Sequence, residues 1–382
     1  MNGQTTPTQK SFLQTAQTRF AILVLFFIFI AGSFIGLPAK RLPAQGHSAA
    51  PQSGAPAAAI AGKVYSFQEI TQGVYLARGT GTMVTGSNIT VIIGSREAMV
   101  VDTGTSPAAA RGLLQDLQLV SSKPVRYVVN THFHYDHTDG NQVYAGKARI
   151  VAHEYVKYAI ENLRVLEREP FKTYRVNAVN AVQNLENQIA AEADPTRKAA
   201  LAQQLSGAKQ SVQELEEIKP TPPGLTYTKQ MKLNLGGREV HLLFLGRGHT
   251  NGDTVVYLPK EKIVCTGDLM ESRIAYMGDA QFDEWIVTLD ALKQLDFNTV
   301  LPGQGTAFTG KELITAFQGY LSDVVAKGAK LKQEGLSAED AARTIDLVSH
   351  QDYFPDIKGP GAEVRGMRRL YEWLDSRTMK SE

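Results

Sequence analysis

Apolar and polar positions change period along the chain, and the changes mark its elements. From Val64 onward, short runs rich in β-branched residues and punctuated by glycine, at 73–79, 89–95 and 98–104, predict strands. A helical stretch follows at about 108–119, then a buried strand from Pro124 that runs into the polar segment 131–137. Between Tyr155 and Lys219 the period becomes helical. Val179, Val182, Leu185 and Ile189 form one stripe; Leu201, Leu205, Ala208, Val212, Leu215 and Ile218 form a second. Asp194 fits an N-cap and Pro195 the first helical position, so the stripes predict an antiparallel helical hairpin ended by Pro220, Pro222 and Pro223. Such stripes ordinarily pack on each other and on the domain; a lid, or an arm pairing two copies as a homodimer, is the alternative use. Strands resume at 231–235, 238–246, 253–259 and 262–268. From Lys311 the pattern is helical, with residues 337–340 as a helix start. Strand–helix–strand alternation predicts a layered α/β core.

The N-terminal part reads differently. Phe20 to Leu37 is an 18-residue run without a charge, preceded by Lys10 and Arg19 and by no acid. That is the pattern of a secretory signal, and its length also reaches the lower limit of an uncleaved membrane anchor. Both readings place the remainder in the periplasm or elsewhere outside the cytoplasm, with membrane contact through this segment alone. Residues 38–62 are mostly Ala, Pro, Gly and Ser, a flexible tether. The expected organisation is a signal or anchor at 1–37, the tether at 38–62, a main domain at 63–310 with a helical insertion at about 155–222, and a helical extension at 311–382.

A net charge of +2 gives no electrostatic footprint for nucleic acid and leaves a small molecule as the expected partner. One cysteine excludes an internal disulfide and a cysteine-rich metal knuckle, so a metal site must be made of His and carboxylate. Residues 131–137, Thr-His-Phe-His-Tyr-Asp-His, supply both. At the end of a strand His132 and His134 point to the same side. Asp136 and His137 lie beyond the turn and can reach a second ion. Such donors suit zinc, and also iron or manganese. Burying so many ionisable groups is costly unless they pair or bind a metal. Cys265, on a continuing strand, faces the packed side. His241 alternates with apolar neighbours and reads as structural, while His350 is a distant substitute ligand.

The His-x-His-x-Asp-His pattern after a strand resembles the signature of the metallo-β-lactamase fold superfamily. Val101-Asp102-Thr103-Gly104, Gly248-His249-Thr250 and Gly267-Asp268 resemble its further motifs in the same order, over roughly residues 64–310. The resemblance implies a four-layer αββα sandwich carrying the helical-hairpin insertion and the C-terminal helices. It implies a first zinc held by His132, His134 and His249 with Asp268 bridging, and a second held by Asp136, His137 and Asp268. The family closes the second site with a His in a Pro-Gly-His-Gly loop. Here the loop is Pro302-Gly303-Gln304-Gly305, which makes Gln304 a weak ligand and the second site a weak one. The implied activity is that of an exported hydrolase in which zinc-bound hydroxide, oriented by Asp136, attacks an ester, thioester, lactone or lactam carbonyl. A dedicated β-lactamase is disfavoured. Glu271 stands where the similar β-lactamase subclass carries a Lys that grips the substrate carboxylate, and Arg273 is the nearest replacement cation. Two other classes compete: a mononuclear-iron oxidoreductase resembling persulfide dioxygenases, and a non-catalytic tethered binding module.

Overall fold

The structure is a computed structural model describing residues 59–378; the expected signal or anchor, and the tether up to residue 58, lie outside the described residues. Two sheets carry the fold. The first is built in chain order from β1 (Ile60–Ala61), β2 (Tyr65–Thr71), β3 (Val74–Gly79), β4 (Ile89–Ile93), β5 (Ala98–Val101), β6 (Val125–Val129), β7 (Arg149–His153) and β8 (Leu225–Tyr227). It is antiparallel up to β5 and parallel from β5 to β8. Ile60 and Ala61, tether by composition, pair with Phe67 and Ser66.

The second sheet contains β9 (Gln230–Asn234), β10 (Glu239–Leu243), β11 (Val255–Leu258), β12 (Ile263–Gly267), β13 (Thr299–Pro302) and β14 (Phe308–Thr309); only β12 and β13 run parallel. The helices are α1 (Pro107–Asp116), α2 (Tyr135–Thr138), α3 (Glu154–Asn162), α4 (Phe171–Ala191), α5 (Pro195–Glu216), α6 (Phe282–Lys293), α7 (Glu312–Gln333), α8 (Ala338–Thr344) and α9 (Val364–Thr378). Among the described residues no helix is long and apolar enough to cross a membrane.

The buried side chains fall into layers. Val74, Leu76, Ile92, Val101 and Val129 from one sheet meet Leu235, Val240, Leu242, Val256 and Leu301 from the other. Cys265 lies in this inter-sheet core, where burial pushes its thiol up to about 12. Outside the first sheet, Ala110 and Leu113 of α1 pack on Phe67, Val91, Val100 and Val128. Outside the second, α6 to α9 share one cluster with Val255, Val264 and Val300. The order is helix, sheet, sheet, helix, the four layers expected.

The hairpin α4–α5 forms as its capping residues predict: Asp194 accepts from the Arg197 N–H, with Pro195 at the first turn. Its base is anchored by Phe171, Leu215 and Ile218 against Tyr135 and Tyr174. One expectation fails. Val179 is not a seam residue; with Val176 it lies on the open side, about half exposed. Stripes one turn wide read the same whichever side faces the partner helix.

Candidate metal centre

Strands β5 and β6 end side by side, and the buried residues just past them build the centre. Asp102 follows β5 with φ +70°, a left-handed conformation that Asp adopts more readily than most residues. Its Oδ1 accepts from the Thr131 N–H at 2.7 Å, and its Oδ2 from the Thr131 hydroxyl at 2.8 Å and from His137 Nδ1 at 2.8 Å. These contacts assign protons. The Thr131 hydroxyl is used as a donor, so it accepts from His132 Nδ1 at 3.1 Å and leaves His132 Nε2 bare. His134 Nε2 donates to Asp279 Oδ2 at 3.0 Å, which leaves Nδ1 bare. His137 donates from Nδ1, so Nε2 is the nitrogen it can offer once the ring is neutral.

The bare nitrogens converge. His132 Nε2 lies 3.0 Å from His134 Nδ1, which lies 3.1 Å from His249 Nε2. His249 follows β10 on a turn in which Asp253 accepts from the Thr250 N–H and hydroxyl. The Thr254 N–H donates to Thr131 O at 2.7 Å and ties the turn to the other sheet. Asp268 leaves β12 after Gly267, whose φ of +52° lies in the left-handed region; its Oδ2 is 3.3 Å from His137 Nε2 and 3.9 Å from His249 Nε2. Gly303 makes room: a Cβ there would lie 2.3 Å from Asp268 Oδ1.

Among the described residues two groups form in which the donor atoms all lie within 4.8 Å of one another: His132, His134 and His249, and His132, His137 and Asp268. All five residues are buried, and His137 Nε2 and Asp268 Oδ1 have no hydrogen-bond partner. Burial, reinforced by the neighbouring His137, His134 and His249, holds His132 well below the usual imidazole range; burial and then His134 push His249 down to about 3. Buried imidazole nitrogens turned toward one another beside a carboxylate form the donor set of a cation, so the residues fit a metal ion. Burial opposes charge on His137, but Asp268, Asp136 and Asp102 together raise it well above the imidazole range.

Asp136 stands one contact away, its Oδ2 at 3.5 Å from His137 Nε2 and accepting from Gln304 Nε2 at 2.8 Å. Burial would raise its carboxyl, yet the charge of His137 holds it down at about 2. Gln304 contacts Asp136 and Arg273, whose Nη2 donates to its Oε1 at 3.1 Å. Glu271 is buried and pairs with Arg273 Nε at 2.9 Å. His350 is no substitute ligand: it pairs with Asp323 of α7 at 3.0 Å. His241 pairs with Glu239 across the outer face of β10.

Sequence reasoning missed the shell around His134. Asp279 is held by Arg168 at 2.5 Å, from the segment entering the hairpin. Tyr276 stands edge-on to His134 at 5.6 Å, and Arg365 of α9 covers its ring at 4.7 Å. No motif announces these residues; a Gly-Asp pair in a loop is the sole local sign.

Known proteins with similar sequences and structures agree with this picture. A linear primary-alkylsulfatase of Pseudomonas sp. (strain ATCC 19151) is 21% identical over 287 residues, 72% of this chain and 53% of that protein. A metallo-beta-lactamase type 2 of Bacteroides fragilis is 32% identical over 116 residues, 28% of this chain and 46% of that protein. The chain thus spans about half the length of these curated relatives. The solved structure of the inverting sec-alkylsulfatase Pisa1 from Pseudomonas sp. superposes with a TM-score of 0.55 at 18% identity, over 80% of this chain and 49% of that one, a likeness of fold. The sequence profile of the metallo-beta-lactamase superfamily matches residues 82–304, more than half of the chain, and the chain belongs to that superfamily of metal-dependent hydrolases and related enzymes.

Proposed function

We propose that the protein is an exported zinc-dependent hydrolase of a small-molecule substrate, with its centre on His132, His134 and His249, and with Asp268, His137 and Asp136 beside them. The observation that carries this reading is the buried approach of His132 Nε2 to His134 Nδ1 at 3.0 Å, with the ring protons of both committed elsewhere. Two lone pairs repel at that distance, and a cation between them removes the conflict. Imidazole and carboxylate donors suit zinc, which when bound supplies Lewis acidity and lowers the pKa of a water.

The chain's own groups do the rest. The Asp136 carboxylate, held by Gln304 Nε2 beside His137, accepts a proton from the attacking water and returns it to the leaving group. Asp279 fixes the His134 ring in the tautomer that presents Nδ1. Phe133 and Tyr276 flank His134 edge-on and keep bulk water from that side. Export rests on the apolar run 20–37.

For the scissile group, an ester, thioester, lactone or lactam carbonyl is the first reading. A sulfate ester is the second. It is supported by the extended likeness to the alkylsulfatase and by three guanidinium groups near the ligands: Arg168 on Asp279, Arg273 on Gln304 and Arg365 on Tyr276. The test combines elemental analysis with a panel of aryl acetate, thioester, lactone, cephalosporin and alkyl sulfate substrates, each with and without chelator. Zinc in the protein and chelator-sensitive turnover of a panel member are expected. Iron with oxygen uptake would replace the hydrolase by an oxidoreductase, and full zinc loading with no turnover would favour a binding role.

A further inference from the structure

We infer that Gln304 is a positioning residue for Asp136 and offers no ligand atom to a metal ion, because Arg273 holds the amide oxygen and turns the amide nitrogen toward the centre. The inference rests on the metal centre proposed above. Gln304 Nε2 donates to Asp136 Oδ2 at 2.8 Å, Arg273 Nη2 donates to Gln304 Oε1 at 3.1 Å, and Arg273 Nε donates to Glu271 Oε2 at 2.9 Å. Chemistry allows one orientation of this amide. A guanidinium can donate and cannot accept, so the amide oxygen must face Arg273 and the amide nitrogen is left to face Asp136. A flipped amide would set N–H against N–H at Arg273 and oxygen against oxygen at Asp136. Two unfavourable contacts would replace two favourable ones.

The lock is itself anchored. Glu271 is 2% exposed, so it holds one edge of the guanidinium from inside the protein while the rest of Arg273 reaches solvent. An amide nitrogen has no lone pair to give a metal, since that pair is delocalised into the carbonyl; the ligand atom of a glutamine is its oxygen. Here the oxygen is engaged by a cation. The loop 302–305 therefore braces Asp136, and a second ion at His137 and Asp268 gains no ligand from it.

Zinc titration of the full chain against a chromophoric chelator tests this on four proteins: wild type, Arg273→Met, Gln304→Met and the double variant. The wild type is expected to bind a first zinc tightly and a second weakly. Arg273→Met frees the amide to turn its oxygen inward, and the second step should tighten about tenfold, within the range over which outer contacts alter metal affinity. Losing the Arg273 charge would also favour a cation, and the double variant separates the two effects. The gain should vanish in the Gln304→Met background if it comes from the amide oxygen. A gain of equal size in both backgrounds overturns the inference, as does a tenfold loss of second-step affinity in Gln304→Met alone. Arg273→Lys, which keeps charge and donor, should behave as wild type. If Arg273→Met fails to fold, Glu271→Gln loosens the same anchor and takes its place. A normal first step without the expected gain defeats this inference alone; no first zinc in the wild type defeats the metal centre and this inference with it.

Discussion

One proton decides whether His134 can hold a cation, and Asp279 decides where that proton sits. With a carboxylate at Nε2 the ring must present Nδ1 bare to His132 and His249. Asp279→Asn can donate to Nε2 and invert the tautomer. Zinc affinity should fall by roughly 10- to 100-fold, as for other second contacts of metal ligands, and chelator competition measures it. An unchanged affinity would mean that the ring is oriented by packing alone. Cys265 gives a second expectation at this scale. It is 1% exposed, and burial lifts its thiol from 9.0 to about 12. A folded pKa above the unfolded one stabilises below about pH 9 and is lost as pH rises toward 12. At pH 8 a thiol reagent should leave Cys265 untouched until the protein is unfolded; rapid labelling of native protein would place it outside the core. His132, His134, Asp136 and His137 were legible in the sequence because one turn of chain holds them all. Asp279 was not, because its partners lie 145 and 111 residues away and nothing local marks it.

The elements were legible where period and punctuation agreed. The helical hairpin could be read from its stripes and from Asp194-Pro195, but the side its open face would take could not, since Val179 continues the seam in sequence and leaves it in space. The strands around the centre were readable as β-branched runs; their pairing across β5, β6 and β7 was not, because parallel neighbours are joined through intervening helices. The cap of α5 has a measurable role. Asp194→Ala removes the acceptor of the Arg197 N–H and should cost about 1 kcal/mol in that turn. Residues 193–200 are exposed, so the loss should appear as faster amide exchange in the first turn of α5 with an unchanged Tm. A fall in Tm instead would show that the hairpin tip is coupled to the core.

At the scale of the molecule, the centre lies where the two sheets come together. His132, His134 and His137 follow the first sheet's β6; His249 and Asp268 follow β10 and β12 of the second. An ion held by both sets of donors would therefore join the layers. Zinc should raise the Tm with increasing concentration and chelator should lower it, in the manner of any ligand that binds the folded state alone, and differential scanning fluorimetry reads both. A Tm indifferent to both would argue against the centre. The fold class was legible because strand–helix alternation and the His motif point the same way. The role of residues from 311 onward was not, since nothing in a helical stripe tells which sheet it covers. Those helices share one cluster with the second sheet and with α6, Phe317 lying against Trp285 of α6 at 5.3 Å and Trp373 against its Phe282 at 5.9 Å. This packing has a consequence for truncation. Asp268 is the last residue of the two donor groups, so a chain ending before α7 keeps every one of those donors yet leaves Trp285 and Phe282 without the rings of Phe317 and Trp373. Such a chain would bare an apolar face on α6 while its donor set is whole.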